Sequence, residues 1–64
     1  MKKFGWVVYC TKFRVYTDMA GYARAPLKRA RVFPTRREAR AEKQVCDRVR
    51  KVELTENGKP KRLV

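Results

Sequence analysis

The alternation of apolar and polar residues first indicates a β-strand over residues 4–16, a stretch rich in aromatic and β-branched side chains. Successive side chains of a strand point to opposite faces. The odd positions are apolar or neutral throughout: Val7, Tyr9, Thr11, Phe13 and Val15. The even positions begin with Phe4, Trp6, Val8 and Cys10 and continue with Lys12, Arg14 and Tyr16. We therefore expect one core face, and an opposite face that is apolar at its start and basic at its end.

Residues 17–21 predict a turn, because they contain Asp18 and a glycine, Gly21, that can adopt a positive φ. A second strand should follow the turn. Pro26 interrupts it, so the part that we predict with most support is residues 28–33. There Ala30 and Val32 alternate with two arginines.

A helix is predicted to begin after Pro34, because residues 35–38 match the capping box S/T-x-x-E. In this motif the Thr35 hydroxyl accepts the backbone N–H of Glu38, and the Glu38 carboxylate reaches back to the N–H of Thr35. Glu38 is therefore interpreted as a structural residue. The helix should run from residue 36 to about residue 50, with a narrow apolar face of small residues. Those residues are Ala39, Val45, Cys46, Val49 and, marginally, Ala41.

Residues 52–55 alternate like a strand, and Asn57-Gly58 is a strong hairpin signal. A two-residue turn would pair Glu56 with Lys59 and Thr55 with Pro60. The last segment, residues 61–64, would then be an edge strand, where proline is tolerated. The predicted fold is a single α+β domain over residues 1–64. Its order is β-β-α-β with a C-terminal hairpin as an option, giving an antiparallel sheet of three or four strands with one helix across it.

The net charge and the residue types that are missing restrict the functions that we expect. The formal net charge is +12 in 64 residues, with the excess concentrated between residues 24 and 51, and this indicates an anionic partner. There is no histidine and no serine, so we expect neither catalysis nor a metal or other cofactor. Cys10 and Cys46 are expected to be buried thiols, with a single disulfide as the alternative. The longest apolar run is far shorter than the roughly 20 residues of a membrane span, so we expect a cytoplasmic location.

The predicted helix carries the strongest candidate for a binding surface. One stripe of it would hold Arg36, Arg40, Lys43 and Asp47, with Arg37, Gln44, Arg48 and Lys51 beside them. Arg29 and Arg31 of the second strand could extend the same surface. Cations on one rigid face are what phosphate contacts to DNA or RNA require. An acidic protein surface, or simple solvation of a charged face, are the alternatives.

Residues 2–9, Lys-Lys-Phe-Gly-Trp-Val-Val-Tyr, resemble the RNA-stacking octapeptide of the RNA-recognition motif, [KR]-G-[FY]-[GA]-[FY]-[ILV]-x-[FY]. Lys3 stands in place of the family's glycine, and Trp6 in place of Phe or Tyr. In that family the octapeptide lies on the third strand, after a strand, a helix and a strand. Here the stretch belongs to the first predicted strand. We therefore expect its side chains to resemble those of the octapeptide, while the order of strands and helices differs. If exposed, Phe4 and Trp6 could stack on unpaired bases beside Lys12 and Arg14. If buried, they are core residues.

A second resemblance is to small early or accessory proteins of tailed phages. It rests on a hairpin ending in A-x-x-F-x-T, a helix opened by R-x-E-A, and a short strand. The matching segments are residues 30–39, Ala-Arg-Val-Phe-Pro-Thr-Arg-Arg-Glu-Ala, and residues 50–54, Arg-Lys-Val-Glu-Leu. The resemblance implies an inhibitor that docks on an acidic groove of a host protein, such as RNA polymerase or a defence nuclease, in the host cytoplasm. This inhibitor is the alternative to a nucleic-acid-binding protein.

Overall fold

The computed structural model describes residues 2–44 and 47–64. Their elements are five strands and one α-helix. In chain order these are β1 (Lys3–Cys10), β2 (Val15–Thr17), β3 (Ala23–Ala25), α1 (Arg36–Glu42), β4 (Asp47–Leu54) and β5 (Pro60–Leu63). The strands form one antiparallel sheet in the order β3-β2-β1-β4-β5. The predicted α+β class is confirmed, while the sheet has more strands than the three or four predicted.

The long first strand predicted over residues 4–16 is in fact a hairpin. β1 ends at Cys10, and the backbone N–H of Arg14 donates to the carbonyl of Cys10 at 2.8 Å. Arg14 adopts φ = 56°, the left-handed conformation that reverses the chain. β2 then pairs back onto β1, with Tyr9 opposite Tyr16. The reversal places Lys12 and Arg14 in a turn, so they do not lie on the strand face beside Phe4 and Trp6 as predicted.

The predicted turn over residues 17–21 is confirmed. Gly21 has φ = 91°, and the Asp18 carboxylate accepts the backbone N–H groups of Ala20 and Tyr22 at 2.9 and 3.0 Å. Arg24 Nε also donates to this carboxylate, at 2.7 Å. The Asp18 side chain thus supports the connection between β2 and β3, together with the backbone bonds from Asp18 N–H to Tyr22 and from Gly21 N–H to Asp18.

The predicted second strand over residues 28–33 is wrong. Leu27–Arg29 forms one turn of 3-10 helix, and an extended segment follows it. The alternation of apolar and basic residues in this segment still predicted which side chains face the core, because Ala30 is buried and Val32 packs against the core. The segment does not pair along its length, because β2 already occupies part of the β1 edge. It lies across the sheet and covers it.

The sheet has two faces, distinguished by the register of β1. The front face carries Phe4, Trp6 and Val8, and the back face carries Gly5, Val7 and Tyr9. On the back, residues 27–32 cover a cluster that is centred on Val7, Ala30 and Val52. On the front, α1 covers a second cluster, formed by Val8, Phe33 and Ala39 with Trp6 and Val49 packed against it. The core is thus split into two small halves.

The chain passes from the back to the front around the edge of β1. The N–H of Trp6 donates to the carbonyl of Phe33 at 3.0 Å, and the N–H of Phe33 donates to the carbonyl of Trp6 at 2.8 Å. Just before this, the N–H of Arg31 donates to the carbonyl of Thr17 at 2.9 Å. The two bonds of Trp6 provide partners for backbone groups at the part of the β1 edge that β2 is too short to reach, and the bond to Thr17 attaches the segment to β2.

Gly5 permits this close passage. A Cβ at Gly5 would lie 2.5 Å from Cγ1 of Val32 and 3.3 Å from Cδ1 of Leu54. Val32 is β-branched and cannot easily rotate out of the way. The absence of a side chain at Gly5 therefore sets how near residues 27–32 come to the sheet.

The predicted N-cap at Thr35 is confirmed, but the predicted length of the helix is wrong. Thr35 is the N-cap of α1, and its hydroxyl accepts the N–H of Glu38 at 3.2 Å. The helix ends at Glu42 and not near residue 50, because β4 begins at Asp47 and pairs with all eight residues of β1. Ala39 is buried as predicted. The predicted apolar positions Val45 and Cys46 lie outside the described residues.

The C-terminal hairpin is present, with a register different from the prediction. The N–H of Thr55 donates to the carbonyl of Lys59 at 2.8 Å, and Gly58 takes φ = 81°. This is a three-residue connection with glycine in the bulge position, so Thr55 does not pair with Pro60. Pro60 instead lies opposite Leu54, and β5 is an edge strand as predicted.

We predict that Gly5→Ala destabilises the protein by about 1–3 kcal/mol, the usual cost of overpacking a core. The new methyl group would collide with Val32, and the free energy of unfolding from urea denaturation measures the effect. In a Val32→Ala background the same change should cost much less, since the colliding atom is gone. Equal costs in the two backgrounds would contradict the proposed contact.

We also predict that Thr35→Ala lowers the free energy of unfolding by about 1 kcal/mol, because the N–H of Glu38 loses its acceptor. Thr35→Ser is the matched control, since it keeps the hydroxyl, and it should retain most of the stability. A loss of the same size in both variants would show that the cap does not stabilise α1.

Candidate functional site

The basic residues predicted to form one surface lie on several elements. Arg36, Arg37 and Arg40 are exposed on α1, and Lys43 is its C-cap residue. Arg29 belongs to the turn of 3-10 helix on the back of the sheet. Of the predicted stripe, the part that lies on a helix is therefore limited to α1, where three arginines are exposed.

Three further residues that were predicted to belong to the basic surface lie on different elements or on different faces of the sheet. Arg31 is half-buried where the chain rounds the sheet edge, and its guanidinium lies 4.8 Å from the centroid of the Phe33 ring. Arg48 and Lys51 belong to β4 and not to a helix, and they point to opposite faces of the sheet. Asp47, which was predicted to lie in the stripe with Arg36, is buried, and its carboxylate accepts the N–H of Gln44 at 2.9 Å.

Four predicted residues do come together on the front face. The guanidinium of Arg36 lies 5.9 Å from the centroid of the Trp6 ring, and Nζ of Lys51 lies 4.7 Å from the centroid of the Phe4 ring. Trp6 and Lys51 are direct cross-strand neighbours. We call Phe4, Trp6, Arg36 and Lys51 the Phe4–Trp6 patch.

The Phe4–Trp6 patch is open to solvent because α1 covers only the other end of the front face. Phe4 is 44% exposed, while Trp6 is half-buried beneath the start of the helix. The exposed ring lies next to cations at distances that favour cation–π attraction. The patch therefore offers a flat apolar surface and two positive charges side by side.

The neighbouring carboxylate of Glu53 is neutralised by the chain itself. Glu53 is 8% exposed, and its Oε1 accepts a hydrogen bond from Arg62 Nε at 3.2 Å. Arg62 Nη2 lies 3.1 Å from the same oxygen, and Lys61 Nζ lies 3.6 Å from Oε2. Burial alone would raise the pKa of Glu53. The hydrogen bond from Arg62 and the charges of Arg62, Lys61 and Lys2 outweigh burial, and the pKa lies below its ordinary value.

Asp18 is neutralised in the same way in the turn after β2. Its hydrogen bond from Arg24, followed by that from the backbone of Tyr22, holds the pKa of Asp18 below its ordinary value. In the part of the chain that the structure describes, the ion pairs join Arg24 to Asp18, and Lys61 and Arg62 to Glu53. The cations of the Phe4–Trp6 patch are therefore not paired with carboxylates there.

Sequence reasoning missed a second aromatic and basic cluster, on the back face. The rings of Tyr9 and Tyr16 are in contact, with centroids 5.0 Å apart and planes tilted by 54°. Arg48 lies directly opposite Tyr9, and Arg50 lies opposite Val7 on the same face. We call Tyr9, Tyr16, Arg48 and Arg50 the tyrosine patch. The alternation in residues 4–16 put Tyr9 and Tyr16 on different faces, and only the hairpin between them brings them together.

The tyrosine patch is fixed to the core on one side. Tyr16 packs against the cluster around Val7, and both tyrosines are half-buried, whereas both arginines are exposed. Burial, followed by the neighbouring Tyr9, raises the pKa of Tyr16, and Arg50 opposes this shift only in part. The Tyr16 ring is therefore held in place as a neutral phenol.

Comparisons with known proteins identify no relative: no family model matches the chain, and no curated protein or solved structure matches it either. The likeness to small phage proteins stays a prediction. Among the described residues there is no group of three or more metal-ligating side chains. Those residues also contain no helix with the length and apolarity needed to cross a bilayer. The functional argument therefore rests on the geometry of the site.

We predict that the protein loses stability in acid partly through Glu53. Because its folded pKa is lowered from an ordinary value of 4.5, its contribution is complete above that pH and is lost as the pH falls through the folded pKa. The stability difference between wild type and Glu53→Gln, measured by urea denaturation, should shrink below about pH 4.5. Glu56→Gln, at an exposed turn position, should track the wild type, and a constant difference for Glu53→Gln would contradict the assignment.

Proposed function

We propose that this chain is a non-enzymatic nucleic-acid-binding protein that docks mainly through phosphate contacts. The contacts come from the arginines of α1 and from Lys51, and Phe4 and Trp6 provide a surface on which unpaired bases stack. The net charge of +12 supports an anionic partner. Cations that replace condensed counterions along a phosphate backbone supply most of the affinity of such proteins.

One observation carries the proposal: Arg36 and Lys51 converge on the rings of Trp6 and Phe4. Proteins that bind single strands combine aromatic rings for base stacking with cations that follow the backbone. The Phe4–Trp6 patch has both parts within one open half of a sheet face. Arg36 lies 5.9 Å from the Trp6 ring centroid and Lys51 lies 4.7 Å from the Phe4 ring centroid. This proximity supports a binding mode in which a phosphate contacts a cation and the neighbouring base contacts a ring.

The same patch favours unpaired strands over duplex. Phosphate contacts alone would bind either form, whereas a duplex hides the faces of its bases from an aromatic ring. The α1 helix has seven residues and carries Arg36, Arg37 and Arg40 on its exposed side. It can add phosphate contacts at the border of the patch without entering a groove.

Salt dependence tests the proposal. With a labelled oligothymidine, the logarithm of the affinity should fall linearly with the logarithm of salt concentration, by roughly 0.7 per phosphate neutralised. Arg36→Ala and Lys51→Ala should each flatten the slope by about that amount. Lys28→Ala, a change of the same charge in the 3-10 turn, is the matched control and should leave most of the slope.

Phe4→Ala tests stacking separately from charge. It should weaken binding to the single strand by roughly 1–3 kcal/mol and leave the salt slope unchanged, because the ring carries no charge. Binding to duplex should change little. Phe13→Ala is the comparison, since Phe13 is an exposed ring in the turn after β1, outside the patch, with Lys12 Nζ 5.4 Å from its centroid. An equal loss of binding in Phe13→Ala would contradict the assignment of stacking to the Phe4–Trp6 patch.

One result would overturn the proposal. Affinities weaker than roughly 100 μM at physiological salt, for single strand and duplex alike, lie at the weak limit of ordinary non-specific binding. The charge would then serve an acidic protein surface, as in the inhibitor implied by the phage resemblance. Recovery of one host protein in a stoichiometric complex after nuclease treatment would identify that partner.

A further inference from the structure

The segments that cover the sheet leave half of the front face and half of the back face exposed. On the front, α1 protects the end with Val8 and leaves Phe4 exposed; on the back, residues 27–32 protect the end with Val7 and Val52 and leave Tyr9 partly open. The open halves therefore lie on opposite faces and at opposite ends of β1. The Phe4–Trp6 patch occupies the first, and the tyrosine patch occupies the second.

The two patches share their chemistry. Each combines two aromatic rings with two exposed cations, and in each a cation lies directly opposite one of the rings across β1 and β4. Arg48 and Arg50 are two residues apart on one strand face, so they project in the same direction about 7 Å from each other. A pair of cations with this spacing can contact successive phosphates of an extended strand.

The cations of the tyrosine patch are also available to an anion. In the described part of the chain, no ion pair joins Arg48 or Arg50 to a carboxylate. Tyr16 is anchored on the core and Tyr9 contacts its ring, so the rings are positioned before any ligand arrives. The two rings therefore need little ordering on binding.

We propose that the tyrosine patch is a second binding surface for single-stranded nucleic acid, so that one chain holds two strands on opposite sides of its sheet. This inference rests on the proposed function, since it assigns a second surface to the same ligand class. The bases stack on Tyr9 and Tyr16, and the phosphates are bound by Arg48 and Arg50. The chain then acts as a bridge between two strands or between two stretches of one strand.

Stoichiometry with short strands tests the bridge. An oligothymidine of about eight nucleotides lies within the site sizes of roughly 4–16 nucleotides of single-strand-binding folds. With the strand in excess at low salt, sedimentation velocity should show two strands per chain. The Arg48→Ala/Arg50→Ala variant keeps both rings, and it should bind one strand, with at least a tenfold loss of affinity for the second.

Two further variants locate each site. Arg36→Ala/Lys51→Ala should also leave one strand per chain, the one on the tyrosine patch. Lys28→Ala/Lys59→Ala removes the same charge from two exposed turns and should keep two strands. Energy transfer between donor- and acceptor-labelled oligothymidines should appear with the wild type and with this control, and it should be lost in both patch variants.

The outcomes separate this inference from the proposed function. One strand per wild-type chain, with Arg48→Ala/Arg50→Ala binding it normally, would overturn the second surface and leave the Phe4–Trp6 patch standing. Two strands per chain in Arg48→Ala/Arg50→Ala with unchanged affinities would also overturn it. No binding of any strand by the wild type would overturn both. Circular dichroism melting confirms that each variant is folded before its stoichiometry is read.

Discussion

The backbone pairing between Trp6 and Phe33 is the constraint on which the rest of this structure depends. A sheet with two apolar faces must be covered on both sides, and this chain does so with one continuous stretch, residues 27–42. The stretch can serve both faces only by passing around the edge of β1. The two hydrogen bonds between Trp6 and Phe33 fix that passage and satisfy backbone groups that β2 leaves free.

A small core follows from this arrangement. Val7 and Val8 are neighbours in sequence, yet each is the centre of a different cluster because they point to opposite faces. Each cover is too short to protect a whole face, so half of each face stays open. The aromatic residues of β1 and β2 that would be core residues in a larger domain are thereby brought to the surface beside cations. The Phe4–Trp6 patch and the tyrosine patch are exposed because the covering segment is too short to reach them.

The sequence was most informative where structure is decided by nearby residues. The Thr35 N-cap and the turn with Gly21 were predicted correctly, because each depends on bonds within a few residues. The edge position of the last strand was also predicted correctly, because Pro60 is tolerated only at an edge. The turn after Cys10 escaped prediction, since Arg14 adopts a positive φ that arginine rarely takes. No glycine or proline marks that reversal.

The remaining errors come from pairing between distant residues. The spacing of residues 48–51 is compatible with a helix, but all four pair with β1 and lie in a strand. Of the site, the sequence supplied Phe4, Trp6, Arg36 and Lys51 as separate candidates on a strand and on a helix. Their meeting depends on the short helix and on β4, and the Tyr9–Tyr16 contact depends on the hairpin. Neither arrangement can be predicted from residues that are close together in the sequence.

The carboxylates of Asp18, Asp47 and Glu53 accept hydrogen bonds from the chain's own backbone and cations. Three of the six acidic residues are thus engaged within the protein, whereas the chain carries 18 basic residues, most of which remain to be solvated or bound by anions. The molecule measures 34 × 21 × 20 Å, and at about 0.01 M salt the screening length is roughly 30 Å. Each surface cation then repels nearly all the others. Anions that bind the folded form add to its stability by mass action. The melting temperature of this protein is thus a joint property of the chain and its counterions.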